Sequence, residues 1–143
     1  MVVSVYVWLP KDGNVGHGSL GLSDGTYISW WPTEDKNKTS VTYHWKSVDA
    51  STCPSYDEDC EAEGRGADDE STIEKLDEAA IRRWWTQFSE SNKYHILGNN
   101  CCTVVFKALN EGGAEDFAAI LWQLVATPGN LKDYAMKLKL ATQ

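Results

Sequence analysis

Positive charge is scarce in this chain. Thirteen Lys and Arg stand against 21 Asp and Glu, a formal net charge of −8. The deficit lies in one place. From Asp49 to Glu70 nine acidic residues meet a single basic one, Arg65, which accounts for the whole imbalance. A basic face for phosphate contacts is missing, so no nucleic-acid partner is expected. No apolar run approaches the ~20 residues that cross a bilayer, so no membrane insertion is expected. The first residues, Met1 to Trp8, lack a basic stretch and a small-residue cleavage site. The reading is therefore cytoplasmic, or secreted without a classical signal peptide. Cysteines number only four (Cys53, Cys60, Cys101 and Cys102), too few for a disulfide-built scaffold of this length. They lack the paired short spacings of zinc sites, and neither a metal nor another cofactor is expected. Cys53 and Cys60 flank a short polar stretch and can pair in an oxidising compartment. No internal repeat is visible.

What is present suits one globular domain over residues 1–143. Val2 to Trp8 alternates as a strand. Gly16 to Leu22 reads as a second strand, with small residues that allow close backbone approach. Ser23-Asp24-Gly25 is a hairpin signal, and Thr26 to Trp31 a third strand ended by Pro32. Val41 to Trp45 reads as another short strand. The segment at about 49–70 reads as a mobile acidic surface loop. Ile73, Leu76, Ala80, Ile81, Trp84, Trp85 and Phe88 recur at helical spacing, capped by Ser71 or Thr72. Further helices are expected from Cys101 to about Asn110, from Phe117 to Val125, and after Thr127-Pro128. Strands first and helices later predict an α+β fold, a small antiparallel sheet packed on helices.

The chemistry centres on Asn99-Asn100-Cys101-Cys102. If an asparagine caps the helix, Cys101 sits in its first turn, where unpaired N–H groups and the helix dipole favour a thiolate. Cysteine often merely packs, and a nucleophilic one needs a base. Three histidines are available: His17, His44 and His95. His17 stands apart because two glycines flank it and clear side chains from its surroundings.

Tyr94 to Cys101 resembles the lead-in to the nucleophile helix of circularly permuted papain-like proteins. These include the lecithin:retinol acyltransferase-like and desumoylating isopeptidase families. Gly16 to Ile28 is similar to the early histidine strand and Asp-Gly hairpin of that group. The resemblance implies a papain-like (NlpC-like) fold, with Cys101 as nucleophile, His17 as base, and the order His before Cys. Where some members carry a second histidine to orient the base, this chain has Ser29, with Tyr27 on the same strand face.

Seven tryptophans are many for this length. Core packing is the first reading. A groove beside His17, lined by Trp30 or Trp31 with Tyr27, Asn100 and Cys102 nearby, is the functional one. One of each adjacent tryptophan pair is expected to be half exposed. The resulting expectation is a cysteine hydrolase that cleaves an amide bond in a peptide, isopeptide or peptidoglycan stem, in the style of an effector or toxin. The alternatives are an acyltransferase or lipid hydrolase on the same fold, and a non-catalytic peptide- or glycan-binding domain. A basic partner for the acidic segment is a further expectation.

Overall fold

The computed structural model describes residues 2–32, 49–94, 99–122 and 125–143. The fold is α+β. β1 (Val2–Trp8), β2 (His17–Gly21), β3 (Tyr27–Ile28) and β6 (Asp69–Glu74) form one antiparallel sheet in the order β3-β2-β1-β6. β4 (Trp30–Pro32) and β5 (Ala50–Thr52) form a second, two-stranded one. The helices are α1 (Tyr56–Glu63), α2 (Glu78–Ser91), α3 (Cys101–Glu111) and α4 (Pro128–Thr142), with a 3-10 turn at Ala114–Asp116.

Strand alternation sorts the side chains of β1. Val3, Val5 and Val7 are fully buried and join the main core, which α4 and α3 close. Each valine contributes about 1.5–3 kcal/mol by leaving water. Tyr6 lies on the opposite face, where the rings of Tyr27 and Tyr56 cover it. That second face carries α1. Gly18 faces α3 and α4: a Cβ there would lie 2.6 Å from Leu131 Cδ2 and 3.1 Å from Cys102 Sγ. The space left by Gly18 beside His17 is therefore filled by the two helices.

The expected third strand is two strands. Tyr27–Ile28 pairs with β2 and Trp30–Pro32 pairs with β5, so the chain changes sheets at Ser29. The acidic segment at 49–70 is not a surface loop. It contains β5, α1 and the start of β6. Ser55 caps α1 by accepting from the Glu58 N–H, and Gly64 ends it in the left-handed region. Arg65 donates to Leu9 O and to Asp68, and the Asp68 N–H donates to Val7 O, which fastens the segment to β1. Composition suggested a loop because most of its carboxylates do face water. The backbone pairing beneath them is invisible to a charge count.

Two helical expectations also shift. Residues 71–74 belong to β6, with Ser71 and Ile73 inward and their neighbours exposed. α2 starts later, capped by Asp77 on Ala80 N–H. Phe117 to Val125 is not a helix over its described residues, and the 3-10 turn precedes it. The remaining two helices lie where expected. Asn100 caps α3, and Thr127 caps α4 with Pro128 at its first position. The expected strand at 41–45, with His44, lies outside the described residues, as does His95. Among the described residues no helix is long and apolar enough to cross a membrane.

Candidate active site

The site forms where β2, α3 and α1 meet. Asn100 sets the position of Cys101. Its side-chain oxygen accepts from the Thr103 N–H at 2.8 Å, while its Nδ2 donates to Ala126 O at 2.9 Å. The first turn of α3 is thus tied to the segment leading into α4. Cys101 lies in that turn, only 8% exposed. A helix N-terminus stabilises negative charge, and the backbone N–H of Gly18 favours the charged sulfur as well.

His17 opens β2 and is 1% exposed. Gly16 immediately before it has φ +87, and a Cβ there would meet Trp8 O at 2.3 Å. Only glycine can make this bend. The His17 ring is held between two indoles: stacked on Trp31 at 4.1 Å between centroids, and tilted against Trp8 at 5.5 Å. Its Nε2 lies 2.9 Å from Ser29 Oγ and 3.2 Å from Asp59 Oδ2. The Cys101 sulfur also acts electrostatically on the ring. With Nε2 engaged by Ser29 and Asp59, Nδ1 is the nitrogen left for the sulfur.

Asp59, on α1, anchors the far side. It is completely buried. Its carboxylate accepts from Tyr27 Oη at 2.5 Å, from Ser29 Oγ at 2.8 Å and from Trp31 Nε1 at 2.9 Å, beside the His17 contact. A buried charge with so many donors stays ionised. Although burial opposes the charge, the bonds from His17, Tyr27 and Trp31 hold the Asp59 carboxyl well below the usual carboxylate range. Ser29 takes the bond from His17 and passes its own proton to Asp59, so it bridges ring and carboxylate.

These charges reinforce one another. Burial alone depresses the His17 pKa, but the Cys101 thiolate and Asp59 outweigh it and raise His17 to about 10. Cys101 is shifted well below its usual value, by the hydrogen bond from Cys102 first, against burial, and then by His17 and Gly18. Both shifts run toward an imidazolium beside a thiolate.

The residues named from sequence come together unevenly. Cys101, His17, Ser29, Tyr27, Asn100 and Cys102 all gather here. Trp31 does too, but as a buried floor under His17 rather than a groove wall. Trp30 does not. It is 1% exposed, packs on Trp85 and Phe88, and donates to Asn99 O. Neither member of the pair is half exposed, because the change of sheets at Ser29 buries both. Asp59 was missed. Its signal was the frame around it, Ser55 as cap and Gly64 as stop, eight residues of helix apart. Cys53 and Cys60 are free thiols. No cluster that could hold a metal occurs among the described residues.

A cavity of about 180 Å³ opens against Cys101, walled by Val15, Tyr94, Val125, Ala126 and Pro128. A larger cavity of about 340 Å³ adjoins it, sharing Val125 and Ala126 and lined further by Phe106, Ile120 and Tyr134.

The family model of the IcsB middle domain matches residues 42–143. The match includes Asp59 and the Asn100-Cys101 helix start, and begins after His17. No curated protein and no solved structure matches the chain.

Proposed function

The chain belongs to the IcsB middle domain family, and from the geometry of its site we propose that it is a papain-like cysteine hydrolase with permuted order, His17 ahead of Cys101. One observation carries the reading: a buried thiol in the first turn of a helix is electrostatically coupled to a buried histidine whose Nε2 is held by Ser29 and a buried carboxylate. That is the arrangement a nucleophile, a base and an orienting group require. The Cys101 thiolate attacks the carbonyl carbon of an amide in a peptide, isopeptide or peptidoglycan stem. The oxyanion forms at the positive end of α3. Collapse breaks the C–N bond, and His17 gives its proton to the leaving amine. The thioester on Cys101 then takes up water, with His17 removing the proton. Asp59 and Ser29 hold the ring so that Nδ1 faces the sulfur throughout.

A second reading has its own support. The walls of the cavity at Cys101 are apolar, and a larger cavity adjoins it. The walls at Cys101 suit an apolar acyl group better than a charged stem peptide, while the adjoining cavity also carries Lys107, Asp133 and Lys137. On this reading the same thioester forms, and the acyl group passes to an amine or hydroxyl acceptor or to water, as in an acyltransferase or lipid hydrolase.

The test is capture of the thioester. Incubation with peptide anilides and, separately, with acyl thioesters of graded chain length should leave an adduct on Cys101, read by intact mass and removed by hydroxylamine. Cys101→Ala should form none, and His17→Ala should form it far more slowly. Preference for the peptide favours the hydrolase, and preference for longer acyl chains the second reading. A chain that forms no adduct, and whose Cys101 alkylates no faster than Cys60, is a binding domain and not an enzyme.

A further inference from the structure

Cys102 has no part in the steps above, yet its sulfur lies 3.9 Å from that of Cys101. We propose that Cys102 is a positioning residue for the nucleophile, its S–H donating to the Cys101 thiolate. The inference rests on the proposed chemistry, because it concerns the same thiolate.

The direction of the bond follows from the ion pair. A thiolate has no proton to give, so only Cys102 can be the donor. The enclosure explains the need. Cys101 is 8% exposed and Cys102 1%, so water contributes little to solvating the charge. The sulfur must find its donors in the protein. His17 and the Gly18 N–H are two of them, and Cys102 is the third.

Cys102 is held to that task. It lies under β2 against Gly18, where an added Cβ would stand 3.1 Å from its sulfur. A larger side chain at position 18 would push it away. The other ionisable groups around Cys101 do not replace it. His17 lies on β2 and Asp59 behind it on α1. Glu63, also on α1, repels the thiolate, and Tyr94 borders it from the segment before α3. In line with the geometry, the Cys102 thiol is shifted upward, first by this same bond, and so keeps its proton when Cys101 has lost its own.

The test is the pH profile of Cys101 alkylation by iodoacetamide, followed by peptide mapping so that Cys53 and Cys60 are counted separately. Cys102→Ala should lower the Cys101 rate near pH 6 by about tenfold, the effect of one pKa unit. Near pH 9 it should leave the rate within about twofold, since Cys101 is then ionised with or without Cys102. Cys102→Ser keeps a donor and should restore the acid-side rate. If Cys102→Ala does not unfold cooperatively, Cys102→Val, which fills the space without donating, takes its place. An unchanged profile in the donor-less variants overturns the proposal, as does a serine variant that loses the acid-side rate equally, since packing alone then explains the position. Failure of the underlying reading looks different: the unaltered chain itself would show an ordinary thiol profile, unaffected by His17→Ala.

Discussion

Asp59 illustrates how far a residue can depart from the habits of its type. Aspartate is rarely buried without partners, and here Tyr27, Ser29, Trp31 and His17 all point donors at one carboxylate. Asp59→Asn nearly preserves the shape but removes the charge, and an amide oxygen cannot accept what two carboxylate oxygens did. On the proposed reading it should slow Cys101 alkylation near neutral pH by about tenfold or more, since one lost pKa unit is a factor of ten in thiolate. Asp57→Asn, two residues away on α1 but exposed to water, should leave the rate alone. Equal rates for the two variants would show that the His17 charge does not depend on Asp59. The Cys101 and His17 end of this cluster was legible from residue order, because Asn100-Cys101 and Gly16-His17-Gly18 are local signals. The carboxylate was not. Asp59 sits among eight other acids, and nothing in composition distinguishes the one that turns inward.

At the scale of elements, glycines decide how closely strand and helices approach. Gly16 has φ +87 and no room for a Cβ beside Trp8 O, while Gly18 has the Leu131 side chain at 2.6 Å from that position. Gly18→Ala forces a buried leucine and Cys102 aside, an overpacking cost of about 1–3 kcal/mol. Gly16→Ala adds a left-handed backbone for a residue that avoids it, so its loss should be the larger. Gly25→Ala, also at positive φ but with open space around it, supplies the comparison for backbone strain alone. Thermal melts should rank the midpoints Gly25→Ala above Gly16→Ala, and a Gly16→Ala midpoint equal to the Gly25→Ala one would mean the β1–β2 turn relaxes freely. The same scale shows why some elements were readable. α3 and α4 have caps at Asn100 and Thr127 that bond their own helices. The boundary between β6 and α2 was not readable, because Ile73 satisfies the strand alternation and the helical spacing of Ile81 and Trp85 at once. Phe117 to Val125 has helical composition, yet its first residues follow a 3-10 turn and Ile120 and Trp122 spend donors on Glu115.

For the molecule as a whole, the ion pair makes stability depend on pH in a way whose signs can be worked out. His17 is raised from 6.5 to about 10, so its contribution is full below pH 6.5 and is lost as pH rises through about 10. Cys101 is lowered below 9, so its contribution is present above pH 9 and is lost as pH falls through its folded value. Between about pH 6.5 and 9 the folded pair holds one proton as imidazolium and thiolate, and the unfolded pair holds one as thiol and neutral imidazole. Equal proton counts mean no pH dependence in that window. Above pH 9 the unfolded pair has lost its proton and the folded pair has not, so stability falls by at most about 1.4 kcal/mol per pH unit until His17 titrates. Below pH 6.5 the unfolded pair takes up a second proton first, and stability falls again. Other groups titrate across the same range, so the reference is the double variant Cys101→Ala/His17→Gln, which lacks the pair. Denaturant unfolding of both proteins at half-unit steps from pH 5 to 10 should give a stability difference that is level from about 6.5 to 9 and declines on either side. A difference that instead stays level from pH 5 to 10 would mean that folding leaves the proton affinities of His17 and Cys101 unchanged.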